Sequence, residues 1–174
     1  MAAVEKRKPP AIALLGNHMM FSVITFFIVL NMPEGGIQVS FGVFFLILYL
    51  FGVYDYSSRD GIEHKKSYST IEPSFKYPII YGLIGMSYLL VPVLILAATL
   101  SNKIIGPYAF LFFLLTNSHF EFSLFVKPDF INWIMLLVFC GSIMLFSVLG
   151  YLSGIKGFRL AAKISKYLYV RKKK

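Results

Sequence analysis

The chain has 174 residues, of which 57% are apolar and only 14% are charged. A soluble domain has about a quarter of its residues charged, so this composition excludes an ordinary soluble fold and indicates one membrane domain over residues 1–174. The net charge of +9 is concentrated beside the apolar runs. That placement is typical of membrane proteins, and nucleic acid is not expected as a partner.

Four apolar runs are long enough to cross a bilayer as α-helices, which takes about 20 residues each. Only helices and closed barrels satisfy their backbone hydrogen bonds inside lipid, and the runs lack the polar–apolar alternation of barrel strands. The sequence therefore predicts an all-α integral membrane protein with four transmembrane helices, at residues 11–31, 36–54, 78–100 and 131–153.

The first predicted span carries polar residues on one helical face, at His18, Ser22 and Thr25. A polar face inside a span must contact protein or water, and an intramembrane histidine is a candidate for a proton path. Hydrogen bonding between helices explains the same pattern and is the favoured interpretation.

The segment 55–77 is the longest hydrophilic stretch and is predicted to be a cytoplasmic loop that contacts lipid headgroups. Its acidic residues and histidine would be the active residues if the protein were an enzyme acting on lipid or prenyl substrates: Asp55, Asp60, Glu63 and His64. Their spacing matches no catalytic or metal-binding motif. We therefore predict no catalytic residue, no metal site and no cofactor.

Small residues in two of the spans predict close helix packing. They are Gly82 and Gly85 in the third span, and Ser147, Gly150 and Gly154 in the last. Packing within the chain is the favoured role, and a homo-oligomer or a larger membrane complex is the alternative.

Segment 101–130 contains a further apolar stretch, at residues 104–126, which the distribution of charge assigns to the outer face. Four spans with both termini in the cytoplasm leave only Lys103 and Lys127 outside among 17 Lys and Arg residues, whereas a fifth span would divide these cations almost evenly. The positive-inside rule favours four spans. The extra segment is then re-entrant or interfacial. In it, His119 and Glu121 are read as a polar cluster, since zinc needs at least three ligands.

The C-terminal segment 156–174 has the pattern of a basic amphipathic helix lying on the membrane. Its cationic face is predicted to contact anionic lipid headgroups at the cytoplasmic side. The residues of that face are Lys156, Arg159, Lys163 and Lys166.

The sequence GYLSGIKGF at positions 150–158, followed by the basic tail, resembles the ends of small uncharacterised membrane proteins of Gram-positive bacteria. The resemblance implies a bacterial plasma membrane and no activity. For function, the sequence favours a non-enzymatic scaffold, accessory subunit or regulator. The alternatives are a small oligomeric transporter or channel, and the membrane enzyme described above.

Overall fold

The computed structural model describes residues 10–31, 36–66, 72–99, 101–121, 126–127 and 130–158. These residues form five helices and a two-stranded antiparallel hairpin: α1 (Pro10–Leu30), α2 (Gly36–Lys65), α3 (Lys76–Thr99), α4 (Ile105–Glu121), β1 (Val126–Lys127), β2 (Phe130–Ile131) and α5 (Trp133–Ile155). Four of the helices, α1, α2, α3 and α5, are long and apolar enough to cross a membrane. The prediction of an all-α fold with four such helices is confirmed.

The four long helices alternate in direction along the chain, so α2 and α5 run parallel to each other and antiparallel to α3. The chain between Asn31 and Gly36 reaches about 18 Å at most, whereas α1 is about 31 Å long, so α2 must turn back along α1. Contacts of α3 with α2 and with α5 follow an antiparallel order. We call the end where α1 and α3 begin and α2 and α5 finish the lower end, and the opposite end the upper end.

Helix α2 does not end at Tyr54, as the sequence analysis predicted, but continues for three more turns to Lys65. Hydropathy failed here because the polar residues of these turns have partners within the protein. Asp55 and Arg59 form an ion pair of 2.6 Å on the surface, while Ser57 and Asp60 are buried. Much of the predicted loop 55–77 is therefore helix packed into the bundle.

Helices α2 and α5 are in backbone contact through glycines. A Cβ atom built on Gly150 would lie 2.3 Å from the carbonyl oxygen of Tyr54, and one on Gly154 would lie 2.1 Å from that of Ser58. Ser147, one turn before Gly150, is 3.1 Å from the hydroxyl of Ser57. The small-residue face of α5 therefore packs against α2 of the same chain.

The two glycines of α3 face α5 as well. A Cβ atom on Gly82 would lie 2.5 Å from the sulfur of Met144, and one on Gly85 would lie 2.9 Å from a side-chain carbon of Ile143. The nearest obstacles here are side chains, whereas those between α2 and α5 are backbone, so α3 and α5 approach each other less closely than α2 and α5.

Helix α4 begins at the upper end and finishes near the middle of the bundle. The side chain of Asn102 caps its first turn by accepting hydrogen bonds from the backbone of Ile104 and Ile105, at 2.9 and 3.0 Å. The helix is interrupted at Asn117, whose φ of −137° and ψ of 23° are not helical. His119, just beyond the interruption, is fully buried, so the end of α4 is not a surface element.

Helix α5 ends at Ile155, and Gly157 follows with φ of 74°, the left-handed conformation that commonly terminates helices. Lys156 is exposed. The remaining residues of the predicted headgroup-contacting face, Arg159, Lys163 and Lys166, lie outside the described residues, as does the predicted amphipathic helix beyond Phe158.

Candidate functional site

Besides its apolar core, the bundle buries a set of polar side chains and leaves many large apolar side chains exposed. Large apolar side chains are exposed on every helix, as illustrated by Phe27, Phe44, Leu83, Leu111 and Leu137. Among the side chains that the structure describes, the buried polar ones are His18, Ser22, Thr25, Ser57, Ser58, Asp60, His64, Asn117, Ser118, His119 and Ser147. Buried polar groups in such a setting are costly unless they are paired, so their arrangement marks the candidate site.

The middle of the bundle contains what we call the histidine cluster: His18 of α1, Tyr49 of α2, Tyr88 of α3 and His119 of α4. The two imidazole rings are 4.9 Å apart, centroid to centroid, and meet edge to face. The ring of Tyr49 lies 5.3 Å from His18 and 4.9 Å from His119, and Tyr88 lies 5.7 Å from His18. Four different helices thus each contribute one ring to the histidine cluster.

The position of His119 is fixed by hydrogen bonds between α1 and α4. The hydroxyl of Ser22 donates to the carbonyl of Leu115 at 3.0 Å, and the backbone N–H of Ser118 donates to Ser22 Oγ at 3.0 Å. The Ser118 hydroxyl in turn donates to the Ser22 carbonyl. Because these bonds involve backbone groups freed by the interruption at Asn117, the broken turn is satisfied by protein rather than by water.

The predicted polar face of α1 is buried as a whole, although its residues have different roles. His18 joins the histidine cluster, where it also lies against the backbone of Thr116 and the side chain of Asn117. Ser22 binds α4, as described above. Thr25 donates to the carbonyl of Phe21 in its own helix, at 2.6 Å, and therefore does not contribute to the cluster.

A second group of polar side chains, buried except for the half-buried Tyr77, lies toward the lower end between α2, α3 and α5. We call it the lower cluster and define it as Asp60, His64, Tyr77, Tyr81 and Tyr151. The Tyr81 hydroxyl donates to the Asp60 carboxylate. The Tyr151 hydroxyl is 2.9 Å from His64 Nδ1, and the rings of His64 and Tyr77 are 4.4 Å apart.

The four residues predicted for an enzyme do not converge on one site. Asp60 and His64 face the interior, whereas Asp55 pairs with Arg59 on the surface and Glu63 binds Lys66 at 2.5 Å on a partly exposed face. Within the described part of the chain, no group of three or more His, Cys, Asp or Glu side chains is placed to hold a metal ion. The side chain of Glu121, the predicted neighbour of His119, is not described.

A cavity of about 300 Å³ adjoins the histidine cluster between α1, α3 and α4. We call it the lateral groove. Its walls are mainly apolar, and His18 and Thr116 are among its polar residues. The other lining residues are Leu15, Met19, Ser87, Tyr88, Val91, Pro92 and Phe112.

Sequence reasoning missed the tyrosines of both clusters. Tyrosine commonly lies at membrane interfaces, yet Tyr81 and Tyr151 are buried and hydrogen-bonded. A usable signal was present in α2, where Tyr49, Asp60 and His64 share one face at helical spacing. That face includes the last three turns, which hydropathy had assigned to a loop.

No family model matches the chain, and neither a curated protein nor a solved structure is similar to it.

Proposed function

We propose that the protein is an integral membrane protein in which α1, α2, α3 and α5 span the bilayer and α4 is re-entrant from the upper side. The apolar exterior of the four helices supports this arrangement. Cations among the described side chains support its orientation, since Arg59, Lys65, Lys66, Lys76 and Lys156 flank the lower ends of the helices whereas Lys103 precedes α4 at the upper end. By the positive-inside rule the lower end is cytoplasmic. A bacterial plasma membrane is the proposed location.

We propose further that the protein is a membrane transporter whose proton-carrying group is the pair formed by His18 and His119. The observation that carries this proposal is the contact of the two fully buried imidazoles, 4.9 Å apart at the end of a re-entrant helix. Ionisable residues at membrane depth typically mark transport pathways, and interrupted helices inside a bundle are typical of transporter binding sites.

The pair is suited to carry one proton at a time. Imidazole both accepts and donates a proton near neutral pH, which makes it a common proton shuttle. Two positive charges about 5 Å apart repel by about 3 kcal/mol at an effective dielectric constant of 20. A second proton is therefore disfavoured, and binding of one proton leaves the other ring as an acceptor beside it.

A route toward the cytoplasmic side is supported by the polar face of α2. Tyr49 belongs to the histidine cluster, and Ser57, Asp60 and His64 follow it on the same helix toward the lower end. Asp60 and His64 are titratable and each is bonded to a tyrosine hydroxyl. The lower cluster thus offers groups that exchange protons between the middle of the bundle and the cytoplasmic surface.

The transporter alternative is preferred to a scaffold because the small-residue face of α5 is occupied by α2 within the same chain. That face is consequently not offered to a second protein. The enzyme hypothesis is less favoured because its four proposed residues do not form one site. Asp55 and Glu63 point away from Asp60 and His64.

The test is proton flux into liposomes containing the purified protein, driven by a potassium diffusion potential and followed with an enclosed pH-sensitive dye. We expect uptake above protein-free liposomes, and a loss of about tenfold or more in His119→Gln or His119→Asn, because the remaining ring has no partner to relay the proton. Ser142→Ala is the control, since Ser142 only donates to Val138 of its own helix. Uptake at the protein-free level, or unchanged uptake in both folded His119 variants, would refute the proposal.

A further inference from the structure

The interruption of α4 places a buried amide beside the histidine pair. Asn117 is fully buried, and its backbone conformation is the one that breaks the helix. Its side chain and the backbone carbonyl of Thr116 both lie against the ring of His18. The broken turn of α4 therefore contacts the imidazole of α1 through two polar groups.

The orientation of the Asn117 amide is fixed by its neighbour Thr116. The Thr116 hydroxyl donates its only proton to the carbonyl of Phe112, at 2.8 Å. Toward Asn117 the hydroxyl oxygen can therefore only accept, and it accepts from Asn117 Nδ2 at 2.9 Å. The NH2 group of the amide is thus turned toward Thr116, and the amide oxygen, Oδ1, is the atom left to interact with His18.

Asn117 Oδ1 is a buried acceptor that receives no hydrogen bond from the part of the chain that the structure describes. Such an atom is costly to bury, because it has given up water without gaining a donor, and in a folded protein it calls for an explanation. The imidazole of His18 lies against this side chain. It is therefore the group placed to supply the donor.

Protonation of His18 would supply that donor. A neutral imidazole has one N–H, whereas an imidazolium has two. The two groups of the broken turn, the Thr116 carbonyl and Asn117 Oδ1, are both acceptors, so together they suit the protonated ring better than the neutral one. A hydrogen bond from a charged donor is also about twice as strong as one between neutral groups.

The other titratable groups around His18 bring no negative charge to the added proton. They are Tyr49 of α2, Tyr88 of α3 and His119 of α4. Tyrosine is uncharged at neutral pH, and a second histidine repels rather than attracts a proton. Stabilisation of the charge then falls to polar groups with an oxygen directed at the ring, as the amide of Asn117 has.

We propose that Asn117 is the acceptor that holds the proton on His18: the protonated ring donates an N–H to Asn117 Oδ1. This inference rests on the proposed function, because it assigns the position of the proton within the same histidine pair. Proton uptake then adds a hydrogen bond between α1 and the broken turn of α4, and proton release removes it.

The test is a pH titration of the full-length protein in lipid nanodiscs, followed by NMR of ¹⁵N-labelled imidazole rings and ¹³C-labelled asparagine side chains. The chain has three histidines, and replacing each by glutamine in turn assigns the ring signals. In the unmodified protein we expect the side-chain carbonyl signal of Asn117 to change at the same pH as the ring of His18, since one hydrogen bond joins them in the protonated state.

Two variants of similar size should move the titration in opposite directions. Asn117→Leu removes the acceptor and should weaken proton binding by His18 about tenfold, which lowers its midpoint by about one pH unit. Asn117→Asp places a carboxylate at the same position and should raise the midpoint by one pH unit or more. Opposite shifts would distinguish an acceptor from a residue that only supports the broken turn, whose loss disturbs the site in both variants.

Thr25→Val is the matched control. Thr25 is a buried polar residue of the same helix as His18, and its hydroxyl donates to the carbonyl of Phe21. Loss of this hydroxyl removes a buried hydrogen bond outside the histidine cluster, so the midpoint of His18 should stay unchanged.

Several results would overturn the inference. They are an Asn117 carbonyl signal that does not follow the His18 titration, shifts of the same sign in both folded Asn117 variants, an unshifted midpoint in either, and a His18 ring that stays neutral until the protein unfolds. The first and last need no variant, so they decide the question even if both substitutions prevent folding.

Proton flux into liposomes distinguishes this failure from failure of the proposed function. Flux that depends on His119, together with an unshifted titration in the Asn117 variants, would leave the transport proposal standing and remove the role of Asn117. Shifted titrations in a protein that carries no flux would keep the bond between His18 and Asn117 and refute transport.

Discussion

Replacing Gly154 by alanine should force α2 and α5 apart. The added Cβ atom would lie 2.1 Å from the Ser58 carbonyl oxygen, whereas ordinary contacts begin at 3.4 Å. The Cβ atom would thus be 1.3 Å too close to this oxygen. Because the obstacle is a backbone atom, no side chain can rotate to make room. Overpacking of this kind typically costs about 1–3 kcal/mol. A shift of this size would also strain the 2.9 Å contact between His64 and Tyr151.

The assay uses Cys140, the single cysteine of the chain, which is buried. A thiol-reactive fluorophore added in mild detergent reports its exposure on heating, and a loss of 1–3 kcal/mol should lower Tm by about 2–12 °C. Gly141→Ala is the matched control on the same helix, because a Cβ atom there meets nothing within 4 Å and alanine favours the helix by about 0.5–1 kcal/mol. Equal Tm values for the two variants would refute the close α2–α5 contact.

Two further outcomes are expected. Tyr81→Phe removes the hydroxyl that donates to the buried Asp60 carboxylate and should cost about 1–3 kcal/mol. The same thermal assay should show a lowered Tm, with no change for Tyr108→Phe, whose side chain is largely exposed; equal Tm values would mean that the hydroxyl does not support Asp60. Cysteines introduced at Lys103 and Lys156 in intact cells should react with a membrane-impermeant reagent only at position 103, and reaction at both would contradict the proposed topology.

The fold was predictable where composition alone decides the structure. Runs of about 20 apolar residues form helices because no other conformation satisfies their backbone in lipid, and all four were found. The boundary of α2 was not predictable in this way. Its last three turns are polar, and their helical conformation depends on α3 and α5, which supply Tyr81 and Tyr151 as partners for Asp60 and His64.

Only the α1 half of the site was predictable from the sequence. The helical spacing of His18 and Ser22 predicted a shared polar face, which is a local property of α1. Their partners, Ser118 and His119, lie nearly a hundred residues away in a segment that was assigned to the outer face. A pattern within one helix gives the direction of its side chains but does not identify the helix opposite. His119 was therefore paired in the prediction with Glu121, its neighbour in sequence.

The geometry of α4 connects the lateral groove to the histidine pair. Thr116 lines the groove, and His119 follows it by three residues across the interruption at Asn117. The hydrogen bonds of Ser118 to Ser22 hold this turn against α1. A molecule that displaces Thr116 consequently acts on the same short segment that positions His119 relative to His18. Under the transport proposal, a ligand in the groove and a proton on the pair would therefore act on the same turn of backbone.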